Sequence, residues 1–222
     1  MDTSNLIKST CIALVEMLPG AIASAAHEVS GLFDATPEEC AYLEKATQSR
    51  RDEFLTGRYC LRQALAKLGH TDSTLLPDED GVPILPTGTL GSISHSRGLC
   101  LAVATGTTDH IYLGIDVEKT TRLSKLAIKR VVHPGEASWV DENQLKASIL
   151  FSAKEAFYKA QYPKWRCLGN FHDLALNVEE SAQQATVLSI SEQFPAELGT
   201  QADQFKFHYR LVEDYVVTLC YR

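Results

Sequence analysis

The chain lacks an excess of basic residues. Of its 222 residues, 21 are Lys or Arg and 28 are Asp or Glu, so the formal net charge is −7. A general nucleic-acid binder draws its affinity from many Lys and Arg contacts with phosphates. The composition therefore excludes that class and leaves room only for a local basic pocket.

Long apolar runs are also missing. The run from Cys11 to Leu18 is interrupted by Glu16 and is too short to span a bilayer. It is a poor secretory signal as well, because Asp2 offsets the single cation, Lys8, that precedes it. We expect no membrane association, and we expect Thr10 to Met17 to form a strand followed by a Pro-Gly turn.

The six cysteines contain no Cys-x-x-Cys pair and no Cys/His spacing suited to zinc. They are scattered, and most have apolar neighbours, as buried free cysteines do. Free thiols are typical of a reducing compartment, so the expected location is the cytoplasm. Ser/His/Asp and Cys/His arrangements are missing too, which favours direct group transfer over a covalent enzyme intermediate.

Two segments do contain residues suited to catalysis, and the first is a pair of carboxylates at a predicted strand end. Gly114 to Glu118 follows an apolar run, and alternate side chains of a strand face the same way. Asp116 and Glu118 therefore share a face, where they repel each other unless a cation lies between them. Hard oxygen ligands of this kind suit Mg²⁺ or Mn²⁺. Alone, an Asp-x-Glu at a strand end is more commonly a solvated turn.

The second segment, Phe151 to Lys159, has the spacing of a helix, with Ser152 available as its cap. Glu155 and Lys159 are four residues apart and are therefore neighbours on one helical face. If that face meets the strand end, Glu155 becomes a third carboxylate and Lys159 a cation beside it. Such a group handles phosphates. Alone, the pair is more commonly a surface ion pair.

A third group of charges lies on a helix predicted from Arg51 to Leu68, which ends at Gly69. Arg51, Arg58 and Arg62 lie along the margin of its apolar stripe. They form either a phosphate clamp or a solvated basic face.

Polar groups also gather at the tip of a strand predicted from Leu90 to Ser96. Ser94 and His95 place a hydroxyl and an imidazole there. A lone histidine more commonly has a structural role.

In combination, Gly-Ile-Asp-Val-Glu and the later Phe-Ser-x-Lys-Glu-Ala-x-x-Lys resemble the two-part signature of the 4′-phosphopantetheinyl transferases. The resemblance spans roughly Arg50 to Asp173. It is greatest to the type that includes enterobactin synthetase component D and the surfactin-synthetase-activating enzymes. It implies an α+β fold of two similar, pseudo-twofold-related subdomains, each a small, mostly antiparallel sheet packed with helices. We place them at residues 1–108 and 109–222, with the site at their junction in a monomer.

The resemblance implies that the 4′-phosphopantetheine group of coenzyme A is transferred to a serine of an acyl or peptidyl carrier protein, leaving 3′,5′-ADP. Metal ligands for Mg²⁺, with Mn²⁺ as the alternative, would be Asp116, Glu118 and Glu155. The implied catalytic residues are Glu155, Lys159 and His95. Contacts with coenzyme A are implied for Arg51, Arg58, Arg62, Gly81, Pro83, Ser94, His95 and Lys159. Val82 stands where many relatives have Lys or Arg, which puts one cationic contact in doubt.

Two other functions stay open: a metal-dependent nucleotide or coenzyme A hydrolase, and an inactive module that binds a carrier protein. The pathway served also stays open among fatty acid, polyketide, siderophore and other peptide synthesis. The carrier protein is expected to be acidic. We predict that it docks on the helix that follows the carboxylate pair. That helix contains the cations Lys125, Lys129 and Arg130 beside the apolar residues Leu123, Leu126 and Ile128.

Overall fold

The computed structural model describes residues 3–27, 35–71, 74–107 and 110–222. The chain divides into two compact units, Met1–Asp109 and His110–Arg222. Each unit has its own antiparallel sheet with helices packed against it. The predicted α+β fold with two antiparallel sheets is therefore confirmed. The pseudo-twofold relation and the roles assigned to the two halves remain predictions.

The described part of the first unit contains three helices and three strands. They are α1 (Thr3–Met17), β1 (Ile22–His27), α2 (Pro37–Tyr42), α3 (Gln48–Ala66), β2 (Thr89–Ser96) and β3 (Leu99–Gly106). The strands are antiparallel in the order β1-β3-β2. Helix α3 packs on this sheet through residues such as Leu61 and Leu65, which are fully buried.

The predicted strand at Thr10 to Met17 is wrong, because these residues belong to helix α1. The buried positions of α1 are Leu6, Thr10, Ala13, Leu14 and Met17. Their spacing of three and four residues is that of a helix with one buried face. A short apolar run is compatible with both a strand and a buried helix, so this run alone does not identify the helix.

Helix α2 begins with a capping box at Thr36. The Thr36 side chain accepts a hydrogen bond from Glu39 N, and the Glu39 side chain accepts one from Thr36 N, with Pro37 in the first turn. This capping box satisfies amides that the helix itself leaves unpaired. The helix ends at Tyr42 instead of continuing toward Gln48, since a new helix with Thr47 as its cap begins there.

The second unit combines one five-stranded sheet with a long helix. Its strands are β4 (Leu113–Lys119), β5 (Leu174–Glu179), β6 (Gln184–Ile190), β7 (Lys206–Val212) and β8 (Tyr215–Tyr221). Its helices are α4 (Lys125–Val131), α5 (Ala137–Val140), α6 (Gln144–Trp165) and α7 (Ala196–Gly199), with 3₁₀ turns at Pro134–Glu136, Phe171–Asp173 and Ala202–Gln204. The sheet is antiparallel in the order β4-β8-β7-β6-β5, so β4 is an edge strand. Helix α6 packs against β4, β8 and β7.

The ends of α6 differ from the prediction. Ser152 is not its cap but a fully buried residue in its middle, and Asn143 is the cap, accepting a hydrogen bond from Lys146 N. Pro163 lies inside the last turn of the helix, before Arg166. The described helices include none that is long and apolar enough to cross a membrane. All six cysteines are free thiols.

Candidate active site

Strand β4 holds the predicted pair of carboxylates. Asp116 and Glu118 are two residues apart on this edge strand, and both side chains are buried. Val117, between them, is buried on the other face. The alternation of strand side chains therefore brings two carboxylates together in a place with little access to water.

Gly114 allows α6 to lie directly against β4. A Cβ atom at this position would overlap the carbonyl oxygen of Ala156 and approach the Ala160 amide nitrogen to 2.5 Å. Only glycine permits the two backbones to be so close. The first residue of the Gly-Ile-Asp-Val-Glu segment thus sets the distance between the strand and the helix that carries Glu155 and Lys159.

The structure brings the predicted residues of the second unit together. Lys159 Nζ donates a hydrogen bond to Asp116 Oδ1 over 2.8 Å. Burial raises the pKa of Glu155, and the charges of Asp116 and Glu118 raise this pKa further, whereas Lys159 lowers it. Glu155 therefore lies within the electric field of both strand carboxylates, as the spacing of its helix predicted.

A cation that the sequence analysis missed completes this cluster. Arg122 Nε lies 2.7 Å from Glu118 Oε2, and the Arg122 guanidinium is 5.7 Å from the centre of the Phe151 ring. The spacing of four residues from Glu118 was visible in the sequence. Such a spacing brings two side chains together only in a helix, however, and Arg122 lies in a turn after the strand.

The chemistry of these donors fits a hard divalent cation, since three carboxylates converge on one region and two of them are buried. Within the described residues, no three His, Cys, Asp or Glu side chains are already arranged as a metal-binding group. Instead, Lys159 holds Asp116 and Arg122 holds Glu118. The donors fit Mg²⁺ or Mn²⁺ by type and charge, and the two cations balance part of their charge.

Lys154 precedes Glu155 but faces the interior. Its Nζ donates three hydrogen bonds, to Glu136 Oε2 at 2.8 Å, Val131 O at 2.9 Å and Phe171 O at 2.8 Å. Both charged side chains are almost fully buried. Glu136 also accepts hydrogen bonds from the backbone amides of His133 and Leu176. This lysine therefore holds the elements around α6 together and does not join the carboxylate cluster.

A pocket of about 220 Å³ opens beside Glu155. Most of its lining is aromatic or apolar. The lining residues that matter here are Glu155, Tyr158, Leu168, Asn170 and Phe171. Nothing in the sequence indicated this pocket, because its wall combines helix α6 with the segment that follows it.

In the first unit, all three predicted arginines are engaged in structural contacts, and those of Arg58 and Arg62 involve distant segments. Arg62 Nη1 donates to Glu39 Oε1 over 2.6 Å, and Glu39 is fully buried. Arg58 is buried, and its Nε donates to the carbonyl of Leu75. Burial lowers the pKa of Arg58 to about 10, so the guanidinium stays charged at neutral pH. These contacts tie α2 and the segment near Leu75 to helix α3.

Arg51 and Arg50 point to different partners. Arg51 donates to the carbonyls of Ala46 and Glu44, before the helix. Arg50 is 56% exposed, and its Nη1 lies 3.7 Å from Glu53 Oε2. His95 Nε2 lies 3.9 Å from the same oxygen. The sequence analysis missed Arg50, whose exposed guanidinium shares a carboxylate with the predicted phosphate ligand His95.

Gly81 and Pro83 lie in a tight turn of the first unit. Asp78 Oδ1 accepts hydrogen bonds from the amides of Asp80 and Val82, and Gly81 has a φ of +87°. That conformation favours glycine. Pro83 pairs with Pro77 in an isolated bridge, so the turn has a defined shape. Ser94, at the end of β2, is buried.

Comparisons with known proteins identify the family of this chain. The family model described as "4'-phosphopantetheinyl transferase N-terminal domain" matches residues 38–105, and the model described as "4'-phosphopantetheinyl transferase superfamily" matches residues 112–220. The 4′-phosphopantetheinyl transferase Svp of Streptomyces mobaraensis is 34% identical over 196 residues, which is 86% of this chain and 78% of that protein.

Two further similarities are weaker. Enterobactin synthase component D of Escherichia coli O157:H7 is 26% identical over 186 residues, 81% of each chain. The crystal structure of holo-ACP-synthase from Plasmodium yoelii matches 50% of this chain and 93% of that one. Its TM-score of 0.39 and sequence identity of 15% are too low to support an argument. The two family models and the similarity to Svp show that this chain belongs to the 4′-phosphopantetheinyl transferase superfamily.

Proposed function

We propose that this enzyme, which transfers 4′-phosphopantetheine from coenzyme A to carrier proteins, uses the cluster of Asp116, Glu118, Glu155 and Lys159 for the reaction. The observation that supports the proposal most is the convergence of these residues from β4 and α6. Phosphoryl transfer asks a protein chiefly for positioning and charge neutralisation, and this cluster offers both.

Asp116, Glu118 and Glu155 would hold Mg²⁺, or Mn²⁺ in its place. When bound, the metal supplies charge neutralisation on the diphosphate of coenzyme A. Lys159 is 26% exposed, so its ammonium can turn from Asp116 toward a phosphate oxygen. The roles of Lys159 and His95 as stabilisers of phosphate charge are part of this proposal.

Glu155 is also the proposed acceptor of the proton of the carrier serine. A carboxylate beside the reacting phosphate accepts this proton directly or through a water molecule. The bond that breaks joins the pantetheine-bearing phosphate to the nucleotide, so 3′,5′-ADP leaves as the serine oxygen attaches.

The pocket beside Glu155 is the proposed position of the pantetheine arm. Its aromatic and apolar wall suits the uncharged arm, and Asn170 lies within reach of polar groups of an amide chain. The substrate's reacting phosphate would then be next to the carboxylate cluster. We further propose that the enzyme acts as a monomer in the cytoplasm, a reducing compartment compatible with its free thiols.

Release of 3′,5′-ADP with and without a carrier tests the transferase against the hydrolase alternative. The transferase should release the nucleotide only when an apo-carrier protein is present, in a one-to-one ratio with modified carrier. Release at the same rate from coenzyme A alone would instead establish a hydrolase. Binding of carrier without any release would establish an inactive module.

We expect Arg50→Ala to reduce the preference for coenzyme A over its 3′-dephospho analogue. A charge-assisted contact between arginine and phosphate contributes roughly 1.5–3 kcal/mol. Calorimetry should therefore show weaker binding of coenzyme A and nearly unchanged binding of dephospho-coenzyme A. The proposal keeps Arg58 and Arg62 as coenzyme A contacts, with Gly81, Pro83 and Ser94 near the nucleotide, and Arg51 is the alternative to Arg50.

Arg51→Ala is the matched control, because it removes the same charge one position along the helix. Arg51 already donates to two carbonyls, so its loss should affect both ligands equally. If Arg51→Ala weakens binding of coenzyme A but not of dephospho-coenzyme A, and Arg50→Ala does not, then Arg51 is the phosphate contact and Arg50 is not.

We expect a combined Lys125→Glu and Lys129→Glu change to raise the KM for carrier protein severalfold and to leave the KM for coenzyme A unchanged. Both lysines are exposed on α4, next to Leu126, which is 64% exposed. A cationic surface with an apolar centre suits an acidic carrier, although this enzyme is itself acidic overall. Added salt should reduce the difference between variant and wild type.

Initial rates at low ionic strength measure this effect. A matched double change of two exposed lysines elsewhere, Lys67→Glu and Lys164→Glu, gives the same net charge without touching α4. Unchanged carrier kinetics in the α4 variant, or an equal effect in the control, would place the docking surface elsewhere.

A further inference from the structure

Arg122 forms an ion pair with a carboxylate that has little access to water. Its Nε lies 2.7 Å from Glu118 Oε2, and the side chain of Glu118 is only 8% exposed while that of Arg122 is 45% exposed. A nearly buried carboxylate without a counter-charge is costly. The arginine therefore supplies part of the positive charge that Glu118 needs when no metal is bound.

The backbone around Arg122 is fixed by helix α6. Ser148 Oγ donates to the carbonyl of Thr120 over 3.0 Å. Gln144 Nε2 donates to the carbonyls of Thr121 and Leu123, over 3.1 and 2.6 Å. These bonds hold the segment on both sides of Arg122. The guanidinium thus starts from a fixed backbone position and also lies over the ring of Phe151 on α6.

We propose that Arg122 is the resident counter-ion of Glu118, which neutralises this carboxylate in the metal-free enzyme and competes with the divalent cation for it. The inference rests on the proposed metal site. Arg122 is outside the set of residues that the sequence predicted for the site, and its effect is on metal affinity rather than on the phosphates.

The direction of the effect follows from the contact. Arg122 holds Oε2 of Glu118 and the backbone amide of Lys119 donates to Oε1, so a metal that Glu118 ligates competes with one of these contacts. The positive charge of Arg122 also repels a dication nearby. Removing the arginine should therefore strengthen metal binding and weaken the metal-free fold. If Arg122 instead held Glu118 in the orientation that the metal needs, its removal would weaken metal binding.

The test is the affinity of the whole enzyme for MnCl₂ without coenzyme A, measured from the electron paramagnetic resonance signal of free Mn²⁺. Arg122→Gln should bind Mn²⁺ about threefold to tenfold more tightly, with Arg122→Lys between it and the wild type. Lys164→Gln removes the same charge from an exposed site and should leave the affinity unchanged.

Thermal unfolding gives a second readout that does not involve catalysis. Without metal, Arg122→Gln should melt about 2–4 °C below the wild type, and the rise in Tm on adding MnCl₂ should be larger than in the wild type. Equal or weaker Mn²⁺ binding by Arg122→Gln, with normal binding by the wild type, overturns the counter-ion role. No Mn²⁺ binding by the wild type overturns the proposed metal site itself.

Discussion

Asp116→Ala should reduce the rate of carrier modification at least ~100-fold. The change removes one of two buried carboxylates on β4. Without this ligand, the metal's stabilisation of phosphate charge should be lost. The fold should survive, because Asp116 lies on an edge strand and Lys159, its partner, is partly exposed. The rate should be measured at saturating Mg²⁺ and coenzyme A, with circular dichroism as the check on folding. Glu118→Ala and Glu155→Ala should have similar effects.

Glu192→Ala is the matched control for these variants. Glu192 is an exposed carboxylate in the same unit, outside the cluster, so its loss should leave the rate unchanged. An Asp116→Ala enzyme that keeps more than about a tenth of the wild-type rate would contradict the assignment of Asp116 as a metal ligand.

Lys154→Met should destabilise the protein by about 3–5 kcal/mol, because it leaves the carboxylate of Glu136 buried without its counter-charge. Lys154 and Glu136 are 3% and 0% exposed, so water cannot replace the lost partner. Burial lowers the pKa of Lys154, whereas the charge of Glu136 and its hydrogen bond act against that shift. Urea unfolding measures the free-energy change.

A second substitution separates the ion pair from simple packing. Lys154→Met combined with Glu136→Gln has no buried charge, and it should be more stable than Lys154→Met alone by about 1–2 kcal/mol. Lys146→Met on the same helix removes a partly exposed lysine whose partner, Glu180, is 56% exposed, and it should cost less than about 1 kcal/mol. If the double variant is no more stable than Lys154→Met, the buried pair is not the source of the loss.

The carboxylate cluster could be predicted because its residues follow simple periods. Asp116 and Glu118 share a face by the two-residue period of a strand, and Glu155 and Lys159 share one by the four-residue spacing of a helix. The capping box of α2 is equally local, since Thr36 and Glu39 satisfy each other's amides. In each case the information lies within a few neighbouring residues.

What the sequence could not predict depends on contacts between distant segments. Arg62 is engaged by Glu39, which lies 23 residues earlier, so a helix that resembled an open phosphate clamp is partly a structural network. Lys154 reaches Glu136 across 18 residues. Its spacing from Glu155 places it off the helical face of Lys159, but does not identify the carboxylate that it contacts. Periodicity identifies the face of a helix, but not what lies opposite it.

The first helix shows the same limit for secondary structure. The segment from Cys11 to Leu18 is apolar enough for a strand or a buried helix, and the predicted strand ignored Leu6, one turn before the run. Leu6 and Thr10 share the buried face of α1, and Thr10 Oγ1 donates a hydrogen bond to Leu6 O over 2.7 Å. Including that earlier residue in the pattern would have favoured a helix.

The most direct test of the central claim is the intact mass of an apo-carrier protein after incubation with this enzyme, coenzyme A and Mg²⁺. The account predicts a gain equal to one phosphopantetheine group per carrier, absent when the acceptor serine is replaced by alanine and absent with the Asp116→Ala enzyme. An unchanged carrier mass with every apo-carrier tried, while the enzyme still releases 3′,5′-ADP from coenzyme A, would contradict it and show a hydrolase instead.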